Sequence, residues 1–214
     1  FSFKLKLLLY LHMIENKEIL KFFPQPIFKY KIEEHEKINK ELLSYIYNLK
    51  ENNKVGVERS NVYGWHSENF NLKDTNSIQH KFLMSLTKYI FDVFENYGWE
   101  IDPKKIVCTE MWAIINKKNN FNLEHTHPNN YLSAAYYVKA PENCGSFIIS
   151  NPNIISKERV TLSDRNTEFN QNVAHIKPRA GDLLLFPAYL PHSVGMNKSD
   201  EDRIVISFNI DILR

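Results

Sequence analysis

The chain has 214 residues, 43% of them hydrophobic and 24% charged, a balance that suits one globular domain and excludes collagen, coiled-coil and disordered readings. Lys and Arg number 27 against 25 Asp and Glu, and a net charge of +2 is too small to act as an electrostatic footprint for nucleic acid or an anionic membrane. Two cysteines, Cys108 and Cys144, supply neither a disulfide framework nor a zinc quartet and fit a reducing cytoplasm, so any metal must be carried by the eight histidines.

The chain reads as a single domain, with a possible extension over residues 1–21, a strand and helical support region over 22–103, and a β-rich core over 104–214. In the extension, FSFKLKLLLYLHM sets lysines ahead of an apolar run too short to cross a bilayer, with no small-residue cleavage site after it. The expectation there is either a packed N-terminal helix or residues preceding a native start at Met13. From Phe22 to Ile32, aromatic and β-branched residues interleaved with prolines predict an edge strand. Ile38, Leu42, Tyr45, Ile46 and Leu49 then recur at helical spacing. A second helix is expected after the capping cluster Thr75-Asn76-Ser77. Its stripe runs through Ile78, Phe82, Leu86, Ile90, Val93 and Phe94 and ends at Gly98. Both stripes read as core packing, and His80 as a surface residue.

From about residue 104 the texture changes to short runs rich in Val, Ile, Tyr and Phe: IVCTEMWAIIN, YLSAAYYVKA, GSFIIS, NVAHIKP, DLLLFP and RIVISFNIDI. Six such runs without intervening helices predict an antiparallel sandwich or barrel, and an α+β fold overall.

Within this half, Glu124-His125-Thr126-His127 places two imidazoles at i and i+2, which in extended backbone project to the same side. A chance His-x-His is expected at a rate of about 0.3 for a chain of this composition, so the pair needs support from elsewhere. Near the C-terminus, Gly181-Asp182 is a turn signal and Leu183 to Phe186 a buried strand, with Pro187 to Pro191 delivering His192. The last strand alternates: Ile204, Ile206, Phe208 and Ile210 form an apolar face, while Arg203, Val205, Ser207 and Asn209 form the other. If that second face is solvent, it is unremarkable. If it lines a barrel interior, Arg203 needs an anion, for which a carboxylate is the natural partner.

This ordered series resembles the Fe(II)- and 2-oxoglutarate-dependent oxygenases of jelly-roll fold, and in particular the short members found in bacteria and marine phages. The resemblance rests on SNVYGWHS (Ser60 to Ser67), Trp112 to Val138 with its H-x-H-P and S-x-x-YYV runs, and Gly181 to Asn209 with GDLLLFP, H-S-V and R-x-x-x-S-F-N. It covers the chain from Phe22 onward and implies a double-stranded β-helix with N-terminal helices packed against it. It further implies Fe(II) on His125, His127 and His192, 2-oxoglutarate as small-molecule cosubstrate with O2, and a hydroxylated product beside succinate and CO2. Arg203 would anchor the distal carboxylate of 2-oxoglutarate, with Ser207, Tyr137 and Asn116 as further cosubstrate contacts. Asn209 and Trp65 would face the substrate pocket, and the enzyme would work in the cytoplasm of a bacterium or phage-infected cell.

One departure matters chemically. His127 stands where the wider superfamily carries a carboxylate, so the ligand set does not choose the metal. Two other readings stay open: a three-histidine, cupin-like dioxygenase indifferent to 2-oxoglutarate, and a non-catalytic metal- or ligand-binding module. Arg203 favours the oxygenase, because a carboxylate anchor has a use only where a dicarboxylate binds. The substrate and the oligomeric state are not legible in the sequence.

Overall fold

The computed structural model describes residues 18–153, 155 and 167–213, and the reading of residues 1–13 lies outside them. The Pro-flanked run becomes β1 (Phe28–Lys31), an edge strand paired with β9 (Asp182–Pro187). Helix α1 (His35–Asn52) buries Leu42 and Ile46 of its stripe, together with Asn39 beside them. The next stripe is divided between α2 (Ile78–Ser85) and α3 (Thr87–Tyr97). At the joint the Leu86 amide bonds Leu83 O, and the Ser85 hydroxyl donates to Phe82 O at 2.6 Å, a local side-chain bond that competes with the helical ladder. The apolar stripe survives the break, since Phe82, Leu86, Ile90, Val93 and Phe94 are all buried. Ser77 caps α2, and Gly98 ends α3 in the left-handed conformation at φ 65° that a glycine adopts without strain. His80 is half-buried and bonded through Nδ1 to Leu72 O at 2.8 Å, which corrects its reading as a plain surface residue.

All six predicted strands form: β4 (Ile106–Asn116), β6 (Leu132–Lys139), β7 (Phe147–Ser150), β8 (Val173–Ile176), β9, and β11 (Arg203–Ile212). Four shorter ones join them: β2 (Asn61–Val62), β3 (Trp65–His66), β5 (Phe121–His125) and β10 (His192–Val194). Every ladder is antiparallel. They build two sheets, β1-β9-β6-β11-β4-β3 and β2-β5-β10-β7-β8, the two walls of a jelly roll.

Strand β11 lies between β4 and β6 and separates two cores. Ile204, Ile206, Phe208 and Ile210 pack with Leu42, Ile46, Phe82, Leu86 and Val93 from the helices. Full burial of each such side chain contributes roughly 1.5–3 kcal/mol. On the other face Val205 joins Tyr137, Phe147, Leu184 and Phe186 in a smaller apolar cluster, facing the sheet that carries β7. The alternation read from the sequence is therefore real, and its second face looks into the molecule.

Candidate metal centre and cosubstrate pocket

The two sheets enclose a cavity of about 590 Å³ open at one end. His125 closes β5 and His192 opens β10, and the antiparallel register sets these two residues directly opposite each other. His127 lies two residues beyond His125, held by its own amide to Ala188 O at 2.8 Å. The ring centroids stand 4.3 Å (His125 to His192), 5.0 Å (His125 to His127) and 5.2 Å (His127 to His192) apart. One nitrogen from each ring lies within 4.8 Å of the other two.

Hydrogen bonds fix the tautomers. His125 Nδ1 lies 2.7 Å from Leu123 O and His192 Nδ1 lies 2.8 Å from Leu190 O. A carbonyl only accepts, so each Nδ1 carries the proton and each Nε2 keeps a bare lone pair. Burial, reinforced by the neighbouring rings, pushes His192 down to about 3 and His127 down to about 4; burial also lowers His125. All three rings are thus neutral near pH 7. His127 Nε2 and His192 Nε2 stand only 3.4 Å apart. Convergent imidazole nitrogens, two of them oriented by carbonyls behind the rings, are a donor set that suits a transition metal, and the residues fit an iron ion.

Deeper in the cavity Arg203 is 1% exposed and has no carboxylate partner among the described residues. Its Nη1 donates to Gly195 O at 2.8 Å and to Cys144 O, while Nη2 is buried with no hydrogen-bond partner. Gly145 lets these carbonyls close in, because a Cβ there would collide with Gly195 O. A buried guanidinium with an unused donor edge is costly until an anion meets it, and it matches a carboxylate in shape. Tyr137, fully buried, lines the same end, and burial raises its phenol well above the usual range. Ser207 and Asn116 line the wall beside it. Asn116 sits opposite Arg203 across the β4–β11 ladder. The cavity thus sets three convergent histidines at one point and a guanidinium with an unused donor at another, an arrangement that suits a 2-oxo dicarboxylate.

Two readings of pocket residues are corrected. Trp65 turns away from the cavity: it is 7% exposed and its Nε1 donates to Asn53 O at 2.8 Å, pinning the loop after α1. Its neighbour His66 faces inward instead, stacked on Trp112 at 5.6 Å and 11°. Asn209 is also absent from the cavity wall, because it is engaged by Ser133 Oγ at 2.7 Å and by Glu110 at 3.1 Å, beside a bulge at Asn209–Ile210. Sequence reasoning passed over Ser60 and Asn122, which line the wall close to His125. Ser60 opens the SNVYGWHS motif, the signal that points to it.

The fold and this constellation define a jelly-roll oxygenase built for a 2-oxo acid and a metal. Residues 110–209 match the family model described as "Putative 2OG-Fe(II) oxygenase". The protein is accordingly a 2-oxoglutarate- and iron(II)-dependent oxygenase. No curated protein sequence matches the chain. Among solved structures it is similar to a prolyl-4-hydroxylase from Pseudomonas putida at 10% identity and TM-score 0.63, covering 89% of this chain and 94% of that one. HygX from Streptomyces hygroscopicus, with nickel and 2-oxoglutarate bound, superposes at 12% identity and TM-score 0.62 over 88% and 83% of the two chains. A Trichoplax adhaerens prolyl hydroxylase, in complex with a peptide of hypoxia inducible factor, does so at 15% and 0.62 over 87% and 83%. At these identities the superpositions speak for the fold.

Proposed function

We propose that the protein hydroxylates an organic substrate, with His125, His127 and His192 holding Fe(II) and Arg203 holding the distal carboxylate of 2-oxoglutarate. The observation that carries this assignment is the buried Arg203, whose Nη1 is held by two main-chain carbonyls and whose Nη2 has no protein partner. When bound, the iron supplies dioxygen activation coupled to oxidative decarboxylation of 2-oxoglutarate to succinate and CO2. The chain's own residues do the rest. Leu123 O and Leu190 O keep two Nε2 lone pairs aimed at one point. Arg203 Nη2 fixes the far end of the dicarboxylate and so directs its 2-oxo acid end toward the histidines. Ser207 and Tyr137 supply hydroxyls beside that carboxylate. Phe147 and Phe186 pack against the His192 ring at 5.2 and 4.7 Å and keep bulk water from it.

Three neutral ligands leave Fe(II) one unit more positive than two histidines with a carboxylate, which favours a dianionic cosubstrate. The substrate approaches from the open end, lined by Arg59, Glu68, Asn69 and Glu110. Turnover without added substrate tests the assignment. Aerobic protein with Fe(II) and 2-oxoglutarate should release succinate, and His192→Ala should abolish the release. Equal succinate from wild type and His192→Ala would show that the histidine cluster is not the reacting centre.

A further inference from the structure

The histidine cluster is reached by a chain of polar side chains from three separate strand regions. Asn116 Nδ2 on β4 donates to Asn122 Oδ1 on β5 at 2.9 Å, and Asn122 Nδ2 donates to Ser60 Oγ at 3.2 Å. Ser60 Oγ in turn lies 3.4 Å from His125 Nε2. Because His125 Nδ1 is spent on Leu123 O, Nε2 has no proton, and the hydroxyl must be the donor in this last contact. Every donor in the chain therefore points the same way, toward the metal cluster. A chain aligned in one direction must leave an unused acceptor at its far end. That acceptor is Asn116 Oδ1, buried and without a partner.

The geometry is held from behind. A Cβ at Gly64 would collide with Asn116 Oδ1, so the glycine of the SNVYGWHS motif is what lets Asn116 occupy its place. Asn122 is 3% exposed and is paired in register with Asn61, the residue after Ser60. The motif thus acquires a role in the site, with Ser60 as its active end and Gly64 seating the residue that starts the chain.

A metal on His125 takes the Nε2 lone pair, and the Ser60 hydroxyl then loses its acceptor while Asn122 still donates into its oxygen. Imidazole–metal bonds are about 2.0–2.1 Å, so a hydroxyl this close to Nε2 is within reach of the coordination face. We propose that Ser60 orients the cosubstrate by donating its hydroxyl proton to an oxygen of the 2-oxo acid group, with Asn116 and Asn122 as positioning residues that set the direction of that donation. This rests on the assignment of the histidines to the metal and of 2-oxoglutarate to the cavity. It adds an anchor at the reacting end of the cosubstrate, opposite the Arg203 end.

The proposal predicts opposite signs for two affinities. In the metal-free protein Ser60 competes for the Nε2 lone pair, so Ser60→Ala should bind Zn(II) at least as tightly as wild type. The same variant, loaded with Zn(II), should bind 2-oxoglutarate about tenfold more weakly, the loss expected for one hydrogen bond to a charged partner. Ser60→Thr should restore the affinity, and Asn122→Leu should lose part of it. Calorimetric titration of metal and then of 2-oxoglutarate reads both values. A Ser60→Ala protein that binds 2-oxoglutarate within twofold of wild type overturns the proposal, as does one in which Zn(II) and 2-oxoglutarate affinities fall together, the mark of a packing role. If Zn(II)-loaded wild type itself binds no 2-oxoglutarate, the cosubstrate assignment falls as well, so the two failures are distinguishable.

Discussion

The two sheets differ in what they are made of. Strands β4, β6 and β11 of the six-stranded sheet are 11, 8 and 10 residues long, and helical side chains pack over their apolar face. In the five-stranded sheet no strand exceeds five residues, yet β5 and β10 carry His125 and His192. Long ladders over an apolar face supply stability, whereas short strands give two ends that can meet at a point. The histidine cluster is thus built on the thinner wall, and the buried Arg203 on the thicker one. Strand β11 serves both purposes, with one face in the helical core and the other in the cavity.

Substitutions on the two faces of β11 should separate binding from stability. Arg203→Ala should weaken 2-oxoglutarate binding by about a hundredfold or more, as expected for truncating one partner of a buried charge pair. The ligand-free melting temperature should hold or rise, because a buried charge without a counter-ion is removed. Calorimetry and a thermal melt on the same sample check both. Phe208→Ala, on the opposite face, should cost about 3–5 kcal/mol in urea unfolding and leave the 2-oxoglutarate affinity of the folded protein close to wild type. Equal effects of the two changes on binding would dissolve the division between the faces.

The five-stranded wall should show itself in acid. Unfolded imidazoles take up protons near 6.5, whereas burial holds folded His127 at about 4 and His192 at about 3. Between those values the unfolded chain binds more protons, so stability that is fully present above about 6.5 is lost as pH falls toward the folded values. The metal-free melting temperature should therefore decline from pH 7 to pH 5. A flat profile would mean that the cluster already holds protons when folded. The smallest effect is expected at Ser207, half-buried on the cavity face, where Ser207→Ala should weaken 2-oxoglutarate by about two- to tenfold, because Arg203 and Tyr137 still hold the same carboxylate.

Much of this was legible in the residues, and the boundary has physical reasons. The six long or strongly apolar strands declared themselves, because alternation over several residues is a robust signal. Strands of two or three residues such as Asn61–Val62 or His192–Val194 leave too few positions for a period to emerge. The β11 alternation correctly put Arg203 and Ser207 on the cavity side, but the bulge at Asn209 breaks the ladder, and pairing with Ser133 and Glu110 takes that side chain out of the cavity wall. Trp65 leaves the cavity wall for a related reason: adjacent residues on a strand face opposite ways, and only the three-dimensional pairing with β4 decides that His66 is the one to point inward. Ser60 lies 65 residues before His125, so no local pattern could join the two.

The central claim is that three histidines and Arg203 place one metal and one dicarboxylate in a single cavity. Anaerobic titration of the Fe(II)-loaded protein with 2-oxoglutarate, followed by visible absorption, tests it most directly. Chelation of the iron by the 2-oxo acid should produce a weak charge-transfer band that saturates at one equivalent and is lost at the same concentrations in Arg203→Ala. No band in the wild-type protein, or an equal band at equal affinity in Arg203→Ala, would contradict the account.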